Sequence, residues 1–162
     1  MLALTRKTEY ALIALAHLAR EGRKVCSARE IADRYHVPLP VLVNILKQLA
    51  HEGMVESVRG ARGGYRLAVD AGDISLKRMI TALEGPLHLV PCTAAGPEQT
   101  IDSLCDIAHW CPVISPVRKV HELLAEFLER VTLAEIAEEF PAPLVGVQLR
   151  TVRESFSSEH SP

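Results

Sequence analysis

Aromatic side chains are scarce in this 162-residue chain, at 4%, and no apolar stretch approaches the roughly 20 residues needed to cross a bilayer. The segment Met1–Lys7 runs straight into an amphipathic pattern, with no secretory apolar core and cleavage site, so a cytoplasmic protein with no membrane partner is expected. Nor is there a phosphate-cradling glycine loop, a nucleophile elbow or a recognisable carboxylate pair, which argues against an enzyme. Low-complexity classes are excluded too, because the ten prolines and nine glycines are spread along a chain that is 48% hydrophobic. Such a composition suits one helix-rich core with an appended element. Four cysteines in a reducing compartment are poorly explained by disulfides, which leaves metal binding, redox sensing or plain burial.

The formal charge of −2 hides a division. Residues 1–66 hold 11 Lys and Arg against 6 Asp and Glu, whereas residues 67–162 hold 7 against 14. A basic half beside an acidic half implies a polyanion-binding module joined to a part that senses or self-associates.

Apolar residues at Ala11, Leu12, Leu15, Ala16 and Ala19 give the stripe of a helix over Thr8–Arg20. Ser27 and Glu30 form a capping box that opens a second, short helix ending before Pro38. Pro38 and Pro40 start a third, with Leu42, Ile45, Leu46 and Leu49 as its buried stripe. Its opposite face carries Pro40, Asn44, Lys47 and His51, short or hydrogen-bonding groups suited to base edges. Residues 54–59 and 65–68 alternate as strands around the turn Gly60–Gly64, making a hairpin wing with Arg59, Arg62 and Arg66 at its tip. A helix over Ile74–Leu83 follows, stopped by Gly85 and Pro86.

Residues 87–114 show no sustained period and hold three of the cysteines. Ser115 and Pro116 then read as the cap and first residue of a helix whose apolar positions Val117, Val120, Leu124, Phe127 and Val131 average 3.5 residues apart, the period of a helix seeking a partner helix. Thr132 and Glu135 box the start of a last short helix to about Phe140. The expected organisation is a winged helix-turn-helix domain over 1–86, a cysteine segment over 87–114, a dimerisation helix and packing helix over 115–140, and a tail over 141–162. The fold class is mainly α with a small β-hairpin wing.

The runs Leu4-Thr5-Arg6-Lys7-Thr8-Glu9-Tyr10-Ala11, Glu30-Ile31-Ala32, Leu49–Val55 and Val58–Tyr65, followed by Asp73–Leu76 and Ala82–Gly85, resemble the winged-helix iron–sulfur transcription regulators that include IscR, NsrR and RirA. The resemblance extends from Leu4 to about Phe140. It implies a homodimer on a palindromic stretch of double-stranded DNA, usually acting as a repressor. It places Leu39, Pro40 and Asn44 at the start of the recognition helix and Arg59 and Arg62 on the wing; Lys47, Thr5 and Arg6 complete the expected DNA-facing set.

Cys92, Cys105 and Cys111 are spaced C-x12-C-x5-C. Thiolates are soft ligands favoured by iron–sulfur clusters, zinc and copper(I), and the tight pairs of a zinc ribbon are missing. The resemblance implies a cluster, 2Fe-2S or 4Fe-4S, on these three residues. A histidine three residues after the last cysteine, used by some relatives, is replaced by Ile114. Other relatives use an acidic residue of the first helix donated by the second subunit, a position held here by Glu9, while His109, His36 and water stay open as the fourth ligand. Cys26, alone before the second helix, reads as a small buried residue. The rival readings are a cluster-free regulator with a Cys105–Cys111 thiol switch, and an iron–sulfur scaffold or electron carrier with a vestigial winged helix.

Overall fold

The computed structural model describes residues 4–60, 62–90, 93, 105, 107 and 110–138. Cys92, His109 and the 141–162 tail lie outside the described residues, as does the expected end of the last helix at Phe140.

Thr5 has an extended backbone and its hydroxyl accepts the Thr8 N–H, so α1 runs Arg6–Glu21. It starts two residues before the expected Thr8, because the cap fixes the first turn whereas the apolar stripe marks only what is buried. Ser27 caps α2 (Ala28–Tyr35) by accepting the Glu30 N–H at 3.0 Å, as the capping box requires. His36 then takes a left-handed backbone, φ 53°, which turns the chain into α3 (Leu39–His51). Strands β1 (Val55–Val58) and β2 (Gly64–Leu67) pair antiparallel, Val55 opposite Leu67 and Val58 opposite Gly64. Tyr65 also exchanges two backbone hydrogen bonds with Cys26, at 2.9 and 2.8 Å, tying the wing to the turn before α2.

A 3-10 turn at Ala71–Asp73, unread in the sequence, leads to Ser75, which caps α4 (Leu76–Glu84). The long helix α5 spans Ile114–Arg130, and α6 spans Leu133–Glu138. Ser115 is therefore not the cap expected of it. Val113 occupies the cap position without a side-chain hydrogen bond, and Pro116 sits in the first turn, where a missing N–H costs no helical bond.

The core gathers Leu15 and Leu18 of α1, Ile31 of α2, Leu42, Ile45, Leu46 and Leu49 of α3, Met54 and Val55 at the wing, and Met79 of α4. Burying each such side chain contributes about 1.5–3 kcal/mol. Leu133 closes the core from α6, which packs on α1. His17 is buried within it, with Nδ1 3.2 Å from the Tyr35 hydroxyl, and burial holds its imidazole below the ordinary value of 6.5.

No residue of α5 is fully buried, and its 3.5-residue stripe divides. Leu124 and Leu128 are half-buried on the side that meets α4, and Val117 is half-buried nearer the start of the helix, while Val120, Leu123 and Phe127 are 56%, 56% and 59% exposed. The expected single seam is thus two neighbouring faces, one already covered by the chain itself.

Gly64 is where the wing's attachment is least forgiving. A Cβ there would lie 2.3 Å from the Cys26 carbonyl oxygen, against backbone that cannot swing aside. Gly64→Ala is expected to destabilise the fold by about 1–3 kcal/mol in urea unfolding. At Gly72 an added Cβ would meet only the Asp70 carboxylate at 3.4 Å, so Gly72→Ala should stay within about 0.5 kcal/mol of wild type.

Candidate functional site

The buried stripe of α3 fixes what its other side shows. With Leu42, Ile45, Leu46 and Leu49 turned inward, Pro40, Asn44, Lys47 and His51 are all exposed and share one face. Leu39 is half-buried and leans on the core. The wing tip is held by glycines: Gly60 has φ 122°, and the Gly63 N–H reaches the Gly60 carbonyl at 2.9 Å. A Cβ at Gly63 would fall 2.5 Å from the Val58 carbonyl oxygen. This tight turn leaves Arg59 and Arg62 exposed.

Arg66 does not belong to that tip. It lies in β2 opposite Glu56, whose carboxylate accepts a hydrogen bond from its guanidinium, so one basic group of the expected tip is neutralised at the base of the wing.

Thr5 and Arg6 open α1 side by side with different duties. The Thr5 hydroxyl caps the helix and donates to the Glu84 carboxylate, which also accepts the Thr8 hydroxyl at 2.6 Å. These two hydroxyl donors hold the Glu84 carboxyl below the usual carboxylate range. Arg6 is exposed and reaches Glu9 at 2.9 Å, an ion pair of the kind that contributes little in water.

Cys105 and Cys111 are half-buried, close in sequence to the outlying side chains of Ile107, Trp110 and Val113, which are 61%, 85% and 54% exposed. Cys26 differs in kind. It is fully buried, and desolvation pushes its thiol up, which fits the structural role read from its sequence position. Among the described residues, no three Cys, His, Asp or Glu side chains gather closely enough to hold a metal, so Glu9, Cys105 and Cys111 are not brought together within one chain. His36 is exposed at the turn between α2 and α3.

Three residues have features that the sequence pattern did not single out. Gln48 donates from Nε2 to the Ala82 carbonyl at 2.7 Å, joining α3 to α4. Glu84 joins α4 to α1 through Thr5 and Thr8, although its place before Gly85 and Pro86 signalled only a helix end. The His121 Nδ1 is buried with no partner among the described residues, a fact that helical periodicity carries no trace of.

Residues 4–139 match the model of the Rrf2 family, described as iron-dependent transcriptional regulator. The chain is 33% identical over 138 residues to Protein aau3 of Rhizobium meliloti, covering 85% of this chain and 86% of that one. Among solved structures it is similar to CymR, the global cysteine regulator of B. subtilis, with a TM-score of 0.63 and 26% identity over 85% of this chain and 98% of that one. It is also similar to T. potens IscR, with a TM-score of 0.59 and 30% identity over 85% of this chain and 87% of that one.

The division between α3 and wing gives distinct expectations on DNA. Arg59→Ala and Arg62→Ala should weaken binding across all sequences and each lower the salt slope by about one, as lost phosphate contacts do. Asn44→Ala should instead cost about 1–3 kcal/mol on the preferred sequence and relax the preference at one base position. Fluorescence anisotropy titrations at several salt concentrations, on preferred and scrambled duplexes, separate the two effects.

Proposed function

The chain belongs to the Rrf2 family of transcriptional regulators, and on that footing we propose that it acts as a homodimeric repressor on a palindromic operator, controlled through its cysteine segment. The observation that carries this reading is the position of that segment. It leaves the C-terminus of α4, which packs on the recognition helix, and re-enters at the N-terminus of α5, which presents the open apolar face.

In this reading Leu39, Pro40, Asn44 and Lys47 enter the major groove while Arg59 and Arg62 reach phosphates or an adjacent minor groove, with Thr5 and Arg6 at the flanking backbone. Two copies of α5 pair through Val120, Leu123 and Phe127. Operation in the cytoplasm fits these roles, and none of the described helices is long and apolar enough to cross a membrane.

Cys92, Cys105 and Cys111 would hold an iron–sulfur cluster, 2Fe-2S or 4Fe-4S, with Glu9 of the partner subunit as the fourth donor. The residues present fit such a group. Cys105 and Cys111 keep partial access to solvent, unlike Cys26, and among the described residues the Glu9 carboxylate is engaged only by an exposed arginine that exchanges readily. When bound, the cluster supplies iron that reacts with oxidants and nitric oxide. The chain's own part would be to offer three soft thiolates and, at Glu9, one harder and more exchangeable carboxylate.

A second reading is favoured by the likeness to the global cysteine regulator, together with two half-buried thiols separated by five intervening residues. Cys105 and Cys111 would then lose two protons and two electrons to a peroxide or disulfide, forming one disulfide without a metal.

The visible absorption spectrum and iron-to-protein ratio after anaerobic purification discriminate between them. Brown wild-type protein beside colourless Cys92→Ala and Cys111→Ala supports the cluster. Iron-free wild type that still binds DNA would overturn it in favour of the thiol switch.

A further inference from the structure

The free carbonyls at the C-terminus of a helix must find partners outside it. At the last turn of α4 three of them find different ones. The Thr81 carbonyl accepts the Gly85 N–H at 3.0 Å, closing the helix where the cysteine segment leaves it. The Ala82 carbonyl accepts Gln48 Nε2 of α3 at 2.7 Å. The Leu83 carbonyl accepts Lys7 Nζ of α1 at 2.8 Å, and the Glu84 carboxylate accepts the Thr5 and Thr8 hydroxyls beside it.

The other end of α4 is held differently. Ser75 and Thr132 face each other in a backbone bridge, with Leu76 N–H to the Val131 carbonyl and Leu133 N–H to the Ile74 carbonyl, both at 2.8 Å. Arg78, one turn in, donates to the Glu52 carbonyl at the end of α3 at 3.3 Å. So α4 grips α3 at two points, one beside a fixed backbone bridge and one beside the departure of the cysteine segment. A displacement arriving at Gly85 moves the Gln48 end more than the Arg78 end.

Gln48 is adjacent to Lys47 and lies within one turn of Asn44 and His51, all on the exposed face of α3. It is half-buried, and its partner is a backbone carbonyl with no other acceptor role among the described residues. A shift at Ala82 therefore either carries α3 with it or breaks the bond, and either event re-aims a face that must match base edges within tenths of an ångström.

We infer that Gln48 is a positioning residue through which the last turn of α4, moved by the cysteine segment, sets the aim of the recognition helix. Gln48 makes no base contact in this account; it transmits. The inference rests on the reading that the cysteine segment controls DNA binding.

The test uses the full chain and a duplex selected from a random-sequence pool by anaerobically purified protein. The ratio of dissociation constants is measured between that protein and the same sample after chelation and thiol oxidation. Couplings between linked sites typically span about 5- to 150-fold, so wild type is expected to change at least about 5-fold. Gln48→Met, which keeps the length and removes the donor, should bring the ratio below about 2-fold, whereas Arg78→Met should leave it near that of wild type. A merely structural role for Gln48 would lower both affinities together and leave the ratio unmoved, which would overturn the inference while the sensing reading stands. A wild-type ratio of one would instead remove the sensing reading, and the inference with it. Should Gln48→Met fail to fold, amide hydrogen exchange of wild type in the two states decides the matter. Protection that changes at 81–85 and in α3 supports the coupling, and a change confined to the cysteine segment contradicts it.

Discussion

Two backbone hydrogen bonds between 74–76 and 131–133 set the geometry on which everything else depends. They fasten the end of α5 beside the beginning of α4, and the Lys77–Glu129 pair at 3.4 Å continues that contact along the two helices. At 1.5 Å per residue the nine residues of α4 cover about 13 Å and the seventeen of α5 about 25 Å. Fastened at one end and running antiparallel, the longer helix overshoots the shorter by about 12 Å. The cysteine segment must then span from the end of α4 to the far tip of α5. A groove of about 800 Å³ beside them is lined by Ile80 of α4, Leu124 and Leu128 of α5, Leu87 and Leu89 after α4, and Leu4 before α1.

That arrangement separates two jobs that share one core. The basic N-terminal half turns its stripe inward and leaves Asn44, Lys47, Arg59 and Arg62 facing solvent, where in the proposed role counterion release would drive association with DNA. The acidic half contributes Glu84 and Glu129 to contacts that hold α4 in place, away from the exposed face of α3. Within the wing itself, Glu56 occupies Arg66, so positive charge is concentrated at the tip rather than spread along the hairpin. Charge and packing thus agree with the surface proposed to meet the polyanion.

What the sequence made legible was local. Ser27 with Glu30, and Thr132 with Glu135, announced their helices because a cap and its partner are three residues apart; both helices form, Ser27 accepting the Glu30 N–H and the Thr132–Glu135 pair bonding in both directions, with Glu135 accepting the Thr132 N–H at 2.9 Å. The stripes of α1 and α3 were legible because each helix buries one face. Tertiary choices were not. The seam of α5 divides because α4 covers part of it, and nothing in the period says where α4 lies. Arg66 left the tip because strand pairing, not composition, put Glu56 opposite. The turn at Ala71–Asp73 is too short to have a period, and Gln48 has neither charge nor hydrophobicity to draw notice. The three-cysteine spacing pointed to chemistry without distances, and Cys92 lies outside the described residues.

The most direct test is of the open face on α5, since it decides whether two recognition helices act together. Sedimentation equilibrium should show wild type as a dimer, and Leu123→Glu combined with Phe127→Glu as a folded monomer that no longer protects a two-fold symmetric DNA site. A wild type that is monomeric, or a double variant that remains dimeric and keeps the same footprint, would contradict the account.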